Sequence, residues 1–162
     1  MKYSDARPLI RSGDPIGYTH KVPMWRSWHD FKVGFVRLWT RSRYSHVGVA
    51  WVVGERVFLL ESVKSGVRNF PLSMTGAFDW VSRGIWDEAA LTRGLAESGG
   101  EYSEVEGMKA PFGVLDMSNK KWQCAKYFCY VLGLVGVTMT PDAVMNYFFE
   151  VEERTIRYVT PD

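Results

Sequence analysis

Two apolar runs joined by a glycine turn dominate the pattern of hydrophobic and polar positions. Val47 and Val49 to Val53 form the first, Val57 to Leu60 the second, and Gly54-Glu55 lies between them. Glycine at the first position of a two-residue loop between β-branched runs predicts a hairpin. Both runs are apolar on both faces, so the hairpin is expected inside a sheet that is covered on each side. The loop sets a register that pairs Val53 with Arg56, Gly48 with Glu61 and His46 with Val63. His46 and Glu61 then share one face as diagonal neighbours, with Cα atoms about 7 to 8 Å apart, a gap a glutamate spans to reach an imidazole.

Around this hairpin the chain alternates short strands and helices. Residues 7–18 read as a strand broken by Gly13-Asp14-Pro15. Residues 23–40 carry Trp25, Trp28, Phe31, Phe35, Leu38 and Trp39 at helical spacing, beside a basic surface of Arg26, Lys32, Arg37, Arg41 and Arg43. That stripe suits a core-facing helix, a membrane-surface contact or the wall of a substrate groove. Residues 64–72 form a turn at Ser65-Gly66 and a short extended piece, and 78–87 a strand or crossover. Helices follow over 87–98, closed by Gly99-Gly100, and over 101–113, stopped at Pro111. Ser118-Asn119 offers a cap for a late helix whose apolar face is Ala125, Phe128, Cys129 and Leu132, and Thr140-Pro141-Asp142 starts another. Residues 151–159 alternate as a final strand. The expectation is a single α+β domain spanning 1–162, with a mostly antiparallel central sheet packed against helices that include the late cysteine-bearing one.

Composition narrows the function. The 162 residues are 46% hydrophobic and 23% charged, enough for one domain with a substantial core. A net charge of +2 gives little support for a nucleic-acid partner, and none is expected. No run of about 18 apolar residues occurs and the N-terminus lacks a signal-peptide core, so a soluble protein is expected, cytoplasmic or delivered by another system such as a phage particle. A partner protein stays open. Cys124 and Cys129 lie five apart on one helix, about 7.5 Å of rise, too far for a disulfide. No zinc-ligand spacing is present.

Cys124 carries the candidate chemistry. Near a helix start, exposed backbone N–H groups and the positive end of the dipole stabilise a negatively charged sulfur, and Lys120, Lys121 and Lys126 add charge nearby. His46, Glu61 and Cys124 together supply base, orienter and nucleophile. His20 and His29 have no such orienting carboxylate in a rigid element. Cys129 reads as a small buried hydrophobe.

With these residues in hand, the chain resembles the circularly permuted NlpC-type papain-like cysteine peptidases, in which histidine precedes cysteine. The resemblance is carried by Gly13-Asp14, Tyr44-Ser45-His46-Val47-Gly48, Leu60-Glu61-Ser62, Gly66-Val67 and Trp122-Gln123-Cys124. Ala125 and Lys126 depart from it, since a serine and an acidic residue commonly follow the cysteine there. The resemblance implies a papain-like α+β fold and a thiol hydrolase without metal or organic cofactor. Catalysis would fall to Cys124, His46 and Glu61, with Tyr44 and Trp122 lining the substrate site. The expected reaction is cleavage of an amide, most naturally in a peptidoglycan peptide. The alternatives are an acyltransferase or thioesterase acting on lipid-type acyl groups, and a non-catalytic binding module of a larger assembly.

Overall fold

The computed structural model describes residues 1–19, 43–103, 105, 119–135, 137, 140–150 and 152–162. The expected aromatic helix over 23–40, with His20 and His29, and most of the one over 101–113 lie outside them. Among the described residues are six strands: β1 (Pro15–Tyr18), β2 (His46–Val53), β3 (Arg56–Val63), β4 (Gly66–Pro71), β5 (Phe78–Val81) and β6 (Ile156–Val159). Four α-helices accompany them: α1 (Tyr3–Ala6), α2 (Glu88–Ala96), α3 (Cys124–Leu132) and α4 (Pro141–Glu150). The strands form one antiparallel sheet in the order β4-β3-β2-β1-β5-β6. The protein is therefore α+β, and its central hairpin occupies the interior of the sheet, as its two-sided apolarity requires.

Alternation sorts the hairpin residues between two cores. Val47, Val49 and Leu60 join Ala125, Phe128, Cys129 and Leu132 of α3 and Phe148 of α4. Ala50, Val57 and Leu59 face the other way, against Ala6 and Ile10 from the N-terminal turns and Phe78 and Trp80 of β5. At roughly 1.5–3 kcal/mol for each fully buried large apolar side chain, the first of these cores is what holds α3 across the hairpin.

The hairpin register follows its turn, Val53↔Arg56 through Val49↔Leu60, and then the pairing stops. The expected pairs Gly48↔Glu61 and His46↔Val63 are not in the ladder. Instead His46 pairs with Tyr18 of β1, and Glu61 pairs with Arg68 of β4. Gly48 marks the parting point. A Cβ there would sit 2.8 Å from the Leu60 carbonyl oxygen and 2.7 Å from Leu59 Cδ1, too close for any side chain.

Several element boundaries differ from expectation. The segment 7–18 splits into a 3-10 turn at Arg7–Leu9 and β1, because Asp14 is buried as an acceptor rather than extended in a strand: its carboxylate takes Arg11 N, Arg83 N and Trp80 Nε1. The late helix starts at Cys124, not after Asn119. Trp122 is held in an extended bridge to Tyr102, with Trp122 N donating to Glu101 O and its carbonyl accepting from Ser103 N, so its backbone is unavailable to a helix. Gln123 is the cap, its Oε1 accepting from Ala125 N at 2.9 Å. Residues 82–87 form no strand, and the final strand is confined to Ile156–Val159.

Replacing Gly48 by alanine is expected to lower stability by about 1–3 kcal/mol, since neither a backbone oxygen nor a packed leucine yields freely. A chemical-denaturation midpoint equal to that of the natural protein would contradict the close approach.

Candidate functional site

The first residue of β2 and the first residue of α3 meet. His46 opens the strand that crosses beneath α3, and Cys124 opens the helix itself. The imidazole hydrogen-bonds Glu61 Oε2 through Nε2 at 2.6 Å and lies close enough to the Cys124 side chain for the two to interact. With Nε2 committed to the carboxylate, Nδ1 is the nitrogen left for the thiol. Cys124 is partly exposed, and its Sγ lies 3.6 Å from the capping oxygen of Gln123. Cys129 is fully buried, and burial pushes its thiol up to about 12, which removes it as a nucleophile.

Glu61 is held from two sides. Its Oε1 accepts from Arg68 Nε at 2.9 Å and Nη2 at 2.8 Å while Oε2 takes His46. Burial alone pushes this carboxyl up, but His46 and Arg68 outweigh it and hold the group below its ordinary value. Burial likewise pulls His46 down, and its bonds and charge interactions with Cys124 and Glu61 reverse that, raising it to about 9. The arrangement thus sets a charged imidazole between a carboxylate and a cysteine side chain. Arg68 was not among the residues picked out from the sequence. Its position opposite Glu61 on β4 follows from the Ser65-Gly66 turn, the one signal that pointed to it.

Other expected site residues are placed elsewhere. Tyr44 is buried in the core, its hydroxyl donating to Asp79 Oδ2 at 2.7 Å. Trp122 is also buried, its ring 4.9 Å from that of Tyr130 and 5.8 Å from that of Tyr127. Both were expected to line a substrate site, and both are packing residues instead, because each side chain points into the core beside α3. Two of the three lysines expected near the thiol, Lys120 and Lys126, are engaged as well. Lys126 is buried, its ammonium closing the turn at Asn119 and Lys121, and Lys120 pairs with Glu97.

A cavity of about 540 Å³ opens on the sheet face that carries Leu59, floored by Leu59, Glu61 and Val63 of β3 and by Arg68 and Phe70 of β4. His46 forms part of its wall, whereas Cys124 is not among its lining residues. No helix among the described residues is long and apolar enough to cross a membrane.

No family model and no curated protein matches the chain. Among solved structures it is similar to the metalloprotein YiiX from Escherichia coli O157:H7, described as DUF1105, with a TM-score of 0.56 and 18% identity over 80% of this chain and 69% of that one. The two share a fold. This neighbour points to a different family from the NlpC-type peptidases, so the assignment suggested by the sequence motifs is corrected. What stands is the α+β architecture and the geometry above. The donor set does not fit a metal ion either. Among the described residues no three His, Cys, Asp or Glu side chains cluster as ligands, and both Glu61 oxygens are already taken, one by a guanidinium that repels a cation.

Linkage gives the site a definite pH response. His46, raised from 6.5 to about 9, contributes stability that is complete below pH 6.5 and lost as pH climbs through about 9. Glu61, lowered from 4.5, contributes stability present above that value and lost as pH falls through its folded one. NMR titration is expected to find the His46 midpoint near 9 in the natural protein and well below that in Cys124→Ala. A midpoint that ignores the substitution would separate the two side chains.

Proposed function

We propose that the protein is a thiol-dependent hydrolase that cleaves an amide, with Cys124 as nucleophile, His46 as proton carrier and Glu61 as the group that orients it. The observation that carries this reading is the single imidazole held between the Glu61 carboxylate and the Cys124 thiol at the start of a nine-residue helix. The sulfur attacks the carbonyl carbon and forms a C–S bond. As the C–N bond breaks, His46 gives its proton to the leaving nitrogen, which departs as an amine. Water then attacks the thioester, its proton passes to His46, and the C–S bond breaks to release the acid and restore the thiol–imidazole pair. The Cys124 backbone N–H, at the positive helix end, is placed to stabilise the oxyanion. Peptides are the first substrates to test, those of peptidoglycan included.

On this reading Cys124→Ala abolishes hydrolysis, His46→Ala lowers kcat/KM by about 10²–10⁴-fold, and Glu61→Gln lowers it less, since the imidazole survives without its orienter. The kcat/KM profile should fall above pH about 9, where His46 loses its proton. Assay of peptide and acyl-ester panels with the natural protein and these variants, alongside alkylation of Cys124 followed by mass spectrometry, checks each point. Hydrolysis that persists in Cys124→Ala, or Cys124 alkylation that is indifferent to loss of His46, would defeat the proposal.

A further inference from the structure

The cavity beyond His46 is not explained by the chemistry at Cys124, yet it shares two of that site's side chains. Its wall includes His46 and its floor Glu61, while Cys124, which interacts with the same imidazole, is not among its lining residues. In an acyl transfer the group that hands over the proton stands against the departing half of the substrate. A cavity that begins at His46 therefore lies where that half would go.

The charge and shape of the lining narrow what would fit. Among the described lining residues the permanent or readily ionised charges are His46, Glu61 and Arg68. With the imidazole protonated they sum to one positive charge. Arg68 is 45% exposed and spends Nε and Nη2 on a single Glu61 oxygen, leaving the Nη1 donors of its five N–H groups directed elsewhere. Its guanidinium lies 4.8 Å from the centre of the Phe70 ring, and Tyr18, Leu59, Val63 and Tyr158 complete an apolar and aromatic surround. A fixed cationic fork at the edge of an aromatic-walled cavity favours a carboxylate attached to an apolar body.

We propose that this cavity binds the leaving half of the substrate and selects one bearing a free carboxylate next to an apolar or aromatic group, with Arg68 as the selecting residue. In chemical terms the departing amine is an amino acid or a short peptide with its C-terminal carboxylate free, so cleavage occurs close to a chain end. The direction of this assignment rests on the hydrolase reading, but the ligand preference does not require turnover.

The test uses Cys124→Ala protein, which cannot turn over, titrated by NMR or calorimetry with 3-phenylpropionate and with 3-phenylpropionamide, which has the same shape without the charge. The acid is expected to bind at least about tenfold more tightly, the discrimination of a charge-assisted hydrogen bond. Arg68→Gln should bring the two to equal affinity, with Arg68→Lys retaining part of the preference. Gly76→Trp provides an independent check. A Cβ at Gly76, in the cavity wall, meets nothing within 4 Å, so a bulky side chain is tolerated at the cavity's rim, and binding of the acid should be weakened. Equal binding of acid and amide, absence of acid binding, or binding untouched by Gly76→Trp overturns the inference. The hydrolase reading is judged separately by turnover in the natural protein: Cys124-dependent cleavage that ignores a free carboxylate defeats this inference alone.

Discussion

The short bond between Glu61 and His46 is the constraint on which the site depends. A carboxylate at the buried end of a central strand is unfavourable unless its charge is met, and here one oxygen is given to the imidazole and the other to Arg68. That arrangement fixes three things together. It holds the ring, leaves the opposite nitrogen for Cys124, and keeps the imidazole charged over most of the pH range despite its burial. Removing one member leaves a buried charge unmatched rather than a merely weakened contact.

Backbone geometry makes room for that bond. The two strands of the central hairpin run in strict register until Gly48 and then separate, each completing its pairing with an outer neighbour. The separation lets a residue on one face of the sheet reach a helix packed on the other. His46 alternates with Gly48 and Ala50, which face the N-terminal core, yet its ring reaches Cys124 at the start of α3. On the proposed reading His46 borders the cavity and also meets the thiol, which suits a catalyst that must hold an acyl group and release an amine.

The fold resembles that of YiiX in most of its length, but likeness at 18% identity reaches only the path of the chain. A guanidinium on the outer oxygen of the orienting carboxylate is the feature that most distinguishes the site from a bare Cys-His-acid trio. It lowers the carboxyl further than the histidine would alone, and it lines the cavity.

Periodicity and turn chemistry by themselves determined the central hairpin, its register from Val53 to Val49, its interior place in the sheet, and the apolar face of the cysteine helix. All of these depend on interactions between residues near in sequence, or on alternation a local pattern records. The same local reasoning brought His46 and Glu61 to one face and singled out Cys124. It misplaced Tyr44 and Trp122, which looked like site residues because they neighbour His46 and Cys124 in sequence, whereas packing against α3 turns both inward. It started the cysteine helix too early because nothing local announces that Trp122 will pair with Tyr102. The family assignment failed for a related reason: short motifs such as Ser-His-Val-Gly report a strand and its hydrogen-bonding needs, which unrelated chains can share. Only the tertiary structure decided that the hairpin parts at Gly48, that Arg68 closes on Glu61, and that a cavity opens behind the imidazole. Each of these requires strands distant from the residue concerned to be in place, and no pattern along one stretch of chain encodes the distance between two others.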